Sequence, residues 1–307
     1  MTAAFAVLLV RRWLGERKAP LQREAEVSIT RSYLRRVAGQ ADNEPRQGWT
    51  DQIRLAAVSH IHLLLRGGER DRLMQMAELD GLLDATLRGS RRWRTARRID
   101  AIRMLQQFGS EACIARLREM MARDSSPNVR NEAAFALAAT GALPPPRETI
   151  RILGMFERKP NRLDLALLRA SAPHYPEQLQ LLLEDEISSH WRAQLVDAIG
   201  WCEGPEVLPL LEHAARSDCA EVRCAAIRAA GRFGHPRAHR WILEALDDPA
   251  AIVRIQAANC CATLHIKAAV WRLKRLLDDD ELWVRLRARH ALDVLVDDWP
   301  SDETVVA

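Results

Sequence analysis

One dipeptide, Val-Arg, recurs at a fixed interval in the second half of the sequence. It occurs as Val222-Arg223, Val253-Arg254 and Val284-Arg285, so the interval is 31 residues twice in succession. Val129-Arg130 lies three further intervals before Arg223, and Trp191-Arg192 stands at one of the intervening positions. A constant period of this length indicates a stack of similar units, each of which buries its apolar side against its neighbours.

Residues 236–266 show what one period contains. Apolar side chains recur at helical spacing over 236–246 and again over 252–260, with Asp247-Asp248-Pro249 between the two stretches. Asp accepts hydrogen bonds from the free N–H groups that open a helix, and Pro ends the helix before it. We therefore predict an all-α fold, an α-solenoid in which antiparallel helix pairs repeat with a period of about 31 residues.

Aspartate and arginine recur in every regular unit, and two interpretations apply to them. In the first, they form an internal ladder: Asp caps a helix at the turn, and Arg reaches a carboxylate or carbonyl of its own or the next repeat. In the second, they form an anion-binding stripe. The ladder is favoured, and Arg254→Ala should then destabilise the stack rather than abolish a chemical activity. The repeat positions are Asp124, Arg130, Arg192, Asp218, Arg223, Asp248, Arg254, Asp279 and Arg285.

The full pattern is Asp-x-x-x-x-Val-Arg, followed by a pair of small residues and a Gly turn. Val129-Arg130 with Ala133-Ala134 and Gly141 is one example, and Val222-Arg223 with Gly231 and Gly234 is another. This pattern resembles the HEAT-repeat family, in particular the short form called PBS-lyase HEAT-like repeats, over residues 110–296. The resemblance implies a right-handed α-α superhelix of the armadillo type, whose concave face holds a protein partner.

The residues give no sign of catalysis, and we expect no cofactor and no metal. The six cysteines lie in or beside apolar helical stretches without a Cys-x-x-Cys pair, which favours small buried side chains. Some enzymes share this architecture. The alternative to a non-catalytic scaffold is therefore a phycobilin-lyase-like enzyme or enzyme accessory subunit. Deoxyhypusine hydroxylase uses His-Glu pairs to hold iron, and this sequence contains no His-Glu dipeptide.

The regularity of the pattern suggests four segments. Residues 1–20 form an apolar and basic N-terminal helix, 21–95 an irregular helical cap, 96–298 the HEAT-like repeats, and 299–307 an acidic, frayed tail. Within the cap, the sequence predicts one helix from Trp49 to Leu65 and another from Arg70 to Leu87.

Positive charge is concentrated near the N-terminus. Residues 1–100 carry 19 Lys or Arg against 12 Asp or Glu, whereas 101–307 carry 26 against 29. The densest run is a candidate patch for an anionic partner, and on a helix its first, third and last arginines would share a face. A solvated helix start, in which the last arginine takes the repeat's Arg role, is the simpler interpretation. The patch consists of Arg91, Arg92, Arg94, Arg97 and Arg98.

Residues 3–10 are apolar and precede Arg11-Arg12. They are too few to span a bilayer, which takes about 20 residues. They are interpreted either as an amphipathic first helix or as the tail of a membrane anchor. We therefore expect a cytoplasmic scaffold with a protein partner, with attachment to the anionic inner face of the membrane as an option. Nucleic-acid binding through the basic N-terminal third ranks third, because only one aromatic residue, Trp93, interrupts the basic run.

Overall fold

The structure is a computed structural model, and it describes residues 22–296. Within this range every regular element is helical, either α or 3-10, and no β-strand occurs. The all-α solenoid class predicted from the Val-Arg period is therefore confirmed. The chain divides into two units, Met1–Ala142 and Leu143–Ala307. The apolar stretch 3–10 and the tail 299–307 lie outside the described residues, and the predicted boundary at 95/96 stays a prediction.

The first unit contains seven described helices. They are α1 over 22–37, α2 (Asp51–Leu64), α3 (Gly68–Leu79), α4 (Leu82–Gly89), α5 (Thr95–Phe108), α6 (Glu111–Arg123) and α7 (Pro127–Ala139). Helices α1 to α4 bury a core of aliphatic side chains together with Tyr33. Helix α5 packs on α4, α6 and α7, so regular pairing is established from α4 onward.

The predicted helix from Arg70 to Leu87 is wrong, because the chain turns in its middle. Helix α3 ends at Leu79, and α4 begins at Leu82. Gly81 between them has a φ of 78°, the left-handed region that glycine occupies without a steric penalty. The apolar spacing on either side is compatible with one helix, and only this glycine marks the break.

The second unit contains ten described α-helices. They are α8 (Pro146–Leu153), α9 (Arg162–Ser171), α10 (Pro176–Leu182), α11 (Ser189–Ile199), α12 (Leu208–Ala214), α13 (Ala220–Phe233), α14 (His239–Glu244), α15 (Ala251–Thr263), α16 (Val270–Arg275) and α17 (Leu282–Leu295). Helices α11, α13, α15 and α17 pack side by side as one layer. The shorter α12, α14 and α16, flanked by 3-10 turns, form the other.

Small side chains set the spacing within the long-helix layer. The alanine pairs Ala225-Ala226 and Ala257-Ala258 are buried between neighbouring helices. Gly200 lies so close to the next helix that an added Cβ would be 2.7 Å from the Cα of Ala229. One continuous apolar core runs through the whole unit, as expected when each pair buries its apolar side against the next.

No helix within residues 22–296 has the length and apolar character needed to cross a bilayer.

Candidate functional site

Three of the predicted arginines pair with the aspartate of the next turn in the same way. Arg254 donates from Nε and NH2 to the two carboxylate oxygens of Asp279, at 2.8 and 2.7 Å. Arg223 pairs with Asp248, and Arg98 with Asp124, in the same bidentate arrangement. Each of these arginines is thus matched by one carboxylate. We call such a bidentate Arg–Asp pair a rung of the ladder, and a rung carries no net charge.

The third guanidinium nitrogen of each rung holds the arginine's own turn. NH1 of Arg254 donates to the carbonyl oxygens of Asp248 and Pro249, and NH1 of Arg223 donates to those of Ser217 and Asp218. NH1 of Arg285 makes the same contacts with its own turn, although Arg285 pairs with no carboxylate among residues 22–296. The Asp carboxylate also accepts the N–H two residues further on, as Asp248 does from Ala250. That N–H belongs to the residue just before the helix, so the aspartate fixes the turn rather than the first helical N–H groups.

Two predicted ladder positions are not joined to each other. Among residues 22–296, the side chain of Arg192 makes no hydrogen bond or ion pair, and no arginine donates to the carboxylate of Asp218. Arg130 donates to the carbonyl oxygen of Asp124 and reaches no carboxylate in the described part of the chain. The ladder therefore has complete rungs at Arg98, Arg223 and Arg254, and it is interrupted at Arg130 and Arg192.

The basic run does not lie on one helix. Helix α5 begins at Thr95, so Arg91 to Arg94 precede it in a turn. Arg98 is buried and is a rung of the ladder, so it does not belong to an exposed patch. Arg91, Arg92, Arg94 and Arg97 remain exposed, and none of the four pairs with a carboxylate of the described chain.

Three of these arginines, all except Arg91, line a groove between α2, α4 and α5. The groove has a volume of about 740 Å³, and its rim contains Arg92, Trp93, Arg94 and Arg97. The indole of Trp93 is 81% exposed, and the guanidinium carbon of Arg94 lies 4.8 Å from its ring centre. Further along the groove, Arg88 and Arg103 have carboxylate partners, in Asp51 and Glu132 respectively. Asp100 also lines the groove and has no ion pair within residues 22–296, so the three unpaired arginines of the rim outnumber the one unpaired carboxylate of the groove.

Arg98, which is buried, and Arg116, which is partly buried, hold the turn that carries this rim. NH1 of Arg98 donates to the carbonyl oxygens of Arg92 and Trp93, at 3.0 and 2.7 Å. Arg116 donates from Nε to the Ser90 hydroxyl and from NH2 to the Ser90 carbonyl. The rung between Arg98 and Asp124 thus positions the exposed arginines as well as joining two repeats.

The sequence model for HEAT repeats matches residues 79–171 and 211–293, together more than half of the chain. The protein belongs to the HEAT-repeat family. No curated protein matches the chain. Among solved structures, it is similar to human deoxyhypusine hydroxylase in complex with glycerol, with 19% identity, 90% of this chain and 98% of that chain covered, and a TM-score of 0.35.

Two further similar structures are a designed armadillo repeat protein and the complex of CpcE and CpcF of phycocyanin lyase from a Nostoc species. The first has 15% identity, covers 87% of this chain and 98% of its own, and gives a TM-score of 0.26. The second has 17% identity, covers 83% and 97%, and gives a TM-score of 0.24. Membership of the HEAT-repeat family rests on the sequence match and not on these structures.

The five buried thiols of this HEAT-repeat protein are unsuited to nucleophilic chemistry. All six cysteines are free, and five are buried. Burial raises the pKa of Cys261 to about 12 and that of Cys202 to about 11. A thiol must ionise to act as a nucleophile or metal ligand, so these remain protonated at neutral pH. Within residues 22–296, no three His, Cys, Asp or Glu side chains are placed to hold a metal ion.

A second group of arginines, which no repeated sequence pattern predicted, surrounds Asp197 in α11. This buried carboxylate accepts hydrogen bonds from Arg169 of α9 and from Arg228 of α13, and Arg232 of α13 lies 3.8 Å from it. None of these residues stands at a repeated position. The available signal was a lone aspartate at a buried position of an otherwise apolar helix, where a charge requires partners.

Proposed function

We propose that the protein is a non-catalytic interaction scaffold, and that an acidic segment of a partner protein binds in the groove between α2, α4 and α5. Arg92, Arg94 and Arg97, which line the groove and pair with no carboxylate among residues 22–296, carry this proposal. Membership of the HEAT-repeat family supports it, because stacked helical repeats present extended surfaces that bind other proteins.

The groove favours a partner that is acidic and partly apolar. Arg92, Arg94 and Arg97 offer guanidinium forks, which bind carboxylates with two parallel hydrogen bonds. Trp93 adds an exposed aromatic surface beside them, and Trp and Arg are the residue types most often found at the energetic centre of protein interfaces. A segment with two or three Glu or Asp side chains around one apolar residue matches these features.

Hydrogen bonds already hold the backbone of the rim in place in the free protein. Its turn is held by Arg98 and Arg116, and Arg97 is also held by a 2.9 Å hydrogen bond to Gln52. Binding therefore costs less in ordering the backbone than it would on a mobile loop. The arginine tips stay accessible to solvent and adapt to the partner.

The test uses a fluorescently labelled peptide of alternating Glu and Leu and measures anisotropy against protein concentration. The intact protein should bind it, with an affinity that falls as salt is raised. The triple variant Arg92→Glu, Arg94→Glu and Arg97→Glu should bind at least about 30-fold more weakly, because like charges meet the acidic peptide.

The matched control makes the same change of charge elsewhere: Arg151→Glu, Arg162→Glu and Arg237→Glu, at three exposed sites of the second unit. It should keep most of the affinity. Equal losses in both triple variants would show that net charge, and not this groove, attracts the peptide. Tight binding of single-stranded DNA without binding of the peptide would contradict the proposal and would indicate that the groove binds nucleic acid instead.

Attachment to the inner face of the cytoplasmic membrane stays a prediction, since it depends on residues 3–12, which lie outside the described range. No observation on the described residues favours the enzymatic alternative.

A further inference from the structure

The arginines around Asp197 differ from the ladder in their balance of charge. Each ladder arginine meets one carboxylate, whereas Arg169, Arg228 and Arg232 share the single carboxylate of Asp197. No second carboxylate pairs with any of the three in the part of the chain that the structure describes. The group therefore keeps two uncompensated positive charges.

The carboxylate has little capacity left for further donors. Its Oδ2 accepts two hydrogen bonds from Arg169, and its Oδ1 accepts one from Arg228 with Arg232 nearby. The remaining donors of Arg228 and Arg232 include both Nε–H groups, for which the described residues provide no acceptor. The side chains of Arg228 and Arg232 are 41% and 25% exposed, so both guanidinium groups are at the protein surface rather than sealed in the core.

An exposed indole stands beside the arginines. Trp201 follows the end of α11 and is 45% exposed, with the guanidinium carbons of Arg232 and Arg169 at 4.6 and 5.7 Å from its ring centre. The stacking keeps both guanidinium groups oriented beside Asp197. It also provides an apolar surface next to the positive charge.

The crowding of like charges has an electrostatic cost in the free protein. Burial lowers the pKa of Arg232 below its ordinary value, Asp197 opposes this, and the charges of Arg169 and Arg228 lower it further. A bound anion would relieve that repulsion and would use the unpaired donors.

We propose that Arg169, Arg228 and Arg232 form an oxyanion-binding site, which takes a phosphate or carboxylate group beside the indole of Trp201. The residual charge of two fits a dianion best, so a phosphate monoester should bind more tightly than a single carboxylate. The site lies in the second unit and shares no residue with the groove of the first, so it is independent of the proposed scaffold function.

The test follows the indole N–H signals of the full chain by NMR during a titration with sodium phosphate, with sodium chloride at the same ionic strength as the reference. Trp201→Phe identifies the signal. We expect a saturable shift of the Trp201 signal with phosphate and none with chloride. A parallel titration with sodium acetate distinguishes the sources: equal affinity would indicate a protein carboxylate, and selectivity for phosphate would indicate a phosphate ester.

Arg228→Gln removes one of the three guanidinium groups, at a partly exposed position, and should weaken phosphate binding at least tenfold. Arg237→Gln, an exposed arginine outside the site, should leave the affinity unchanged. Circular dichroism of both variants verifies the helical fold. A titration without saturation, or the same affinity in Arg228→Gln as in the intact protein, would overturn the proposal.

Discussion

A single arginine side chain joins two turns in each rung of the ladder. Arg254 bonds the carboxylate of Asp279 in the following repeat with two nitrogens and the carbonyl groups of its own turn with the third. Lysine has no planar fork and cannot make both sets of hydrogen bonds at once. The rung therefore explains why arginine recurs at this position of the sequence.

Arg254→Ala should lower the free energy of unfolding at pH 7 by about 2–4 kcal/mol, because it leaves the mostly buried carboxylate of Asp279 without its partner. Thermal melting followed by circular dichroism measures the effect. Arg237→Ala, at an exposed position without an ion pair, is the control and should change stability by less than about 0.5 kcal/mol. Equal melting midpoints for Arg254→Ala and the intact protein would contradict a structural role for the rung.

The difference between Arg254→Ala and the intact protein should also depend on pH. Burial raises the pKa of Asp279, but hydrogen bonds from Arg254 and from the Glu281 N–H outweigh it and hold the pKa below the ordinary 3.8. A carboxyl whose pKa is depressed in the folded state adds stability above its unfolded pKa and loses it as pH falls through the folded value. The difference between the two melting midpoints should therefore begin to shrink as pH falls below about 4 and should be smallest below the depressed pKa of Asp279.

At the scale of the residue, the sequence predicted the ladder positions but not their partners. The constant spacing of Val-Arg identified Arg223 and Arg254, each of which forms a bidentate pair with an aspartate of the next turn. Arg98, which forms the third such pair, follows no valine and was placed in the candidate basic patch. Arg192 follows Trp191 rather than a valine, and it makes no such pair within residues 22–296. Asp197 was not predicted, because its partners come from two helices that are far from it in sequence.

At the scale of the helix, the long helices α11, α13, α15 and α17 approach one another closely where the facing residues have a small side chain or none. Gly200 ends α11 with helical torsion angles, so it is not required there for its conformational freedom. It is required for space, because the backbone and Cβ of Ala229 in α13 occupy the volume that a side chain would need.

Gly200→Ala should therefore destabilise the second unit by about 1–3 kcal/mol, since α11 and α13 must separate or shift to admit one methyl group. Gly68→Ala is the matched control: Gly68 lies in helix α3, and an added Cβ would meet nothing within 4 Å. There the same substitution should be neutral or slightly stabilising. Chemical denaturation of both variants measures the difference, and equal effects would show that the approach of α11 to α13 is not limiting.

Element boundaries were predicted well where repeat and turn chemistry agree, and poorly elsewhere. Asp248-Pro249 marked the turn before α15, because Asp and Pro each act locally. The break at Gly81 was missed, because a glycine within an apolar pattern is compatible with a helix. A shared helix face for Arg91, Arg94 and Arg98 does not form, because α5 begins only at Thr95. The turn before it is held by hydrogen bonds from the Arg98 guanidinium to two of its carbonyl oxygens.

At the scale of the whole molecule, each unit has its own buried core. The first unit buries apolar side chains from all its described helices, α1 to α7, and the core of the second runs without interruption from α8 to α17. In a stack, each helix pair is stabilised mainly by its immediate neighbours, so the effect of a substitution decays with distance along the chain.

Hydrogen exchange measured by mass spectrometry tests this directly. Arg254→Ala should speed exchange in α13, α15 and α17 and leave α2 to α5 unchanged, because the broken rung joins only the later repeats. Arg98→Ala should do the reverse, with the largest change in α5 and in the turn that carries Trp93, whose carbonyl Arg98 holds. A uniform loss of protection along the chain in either variant would mean that the helix pairs unfold as one cooperative body. In that case the stability of the groove in the first unit would depend on every rung of the second, and the two variants would be indistinguishable.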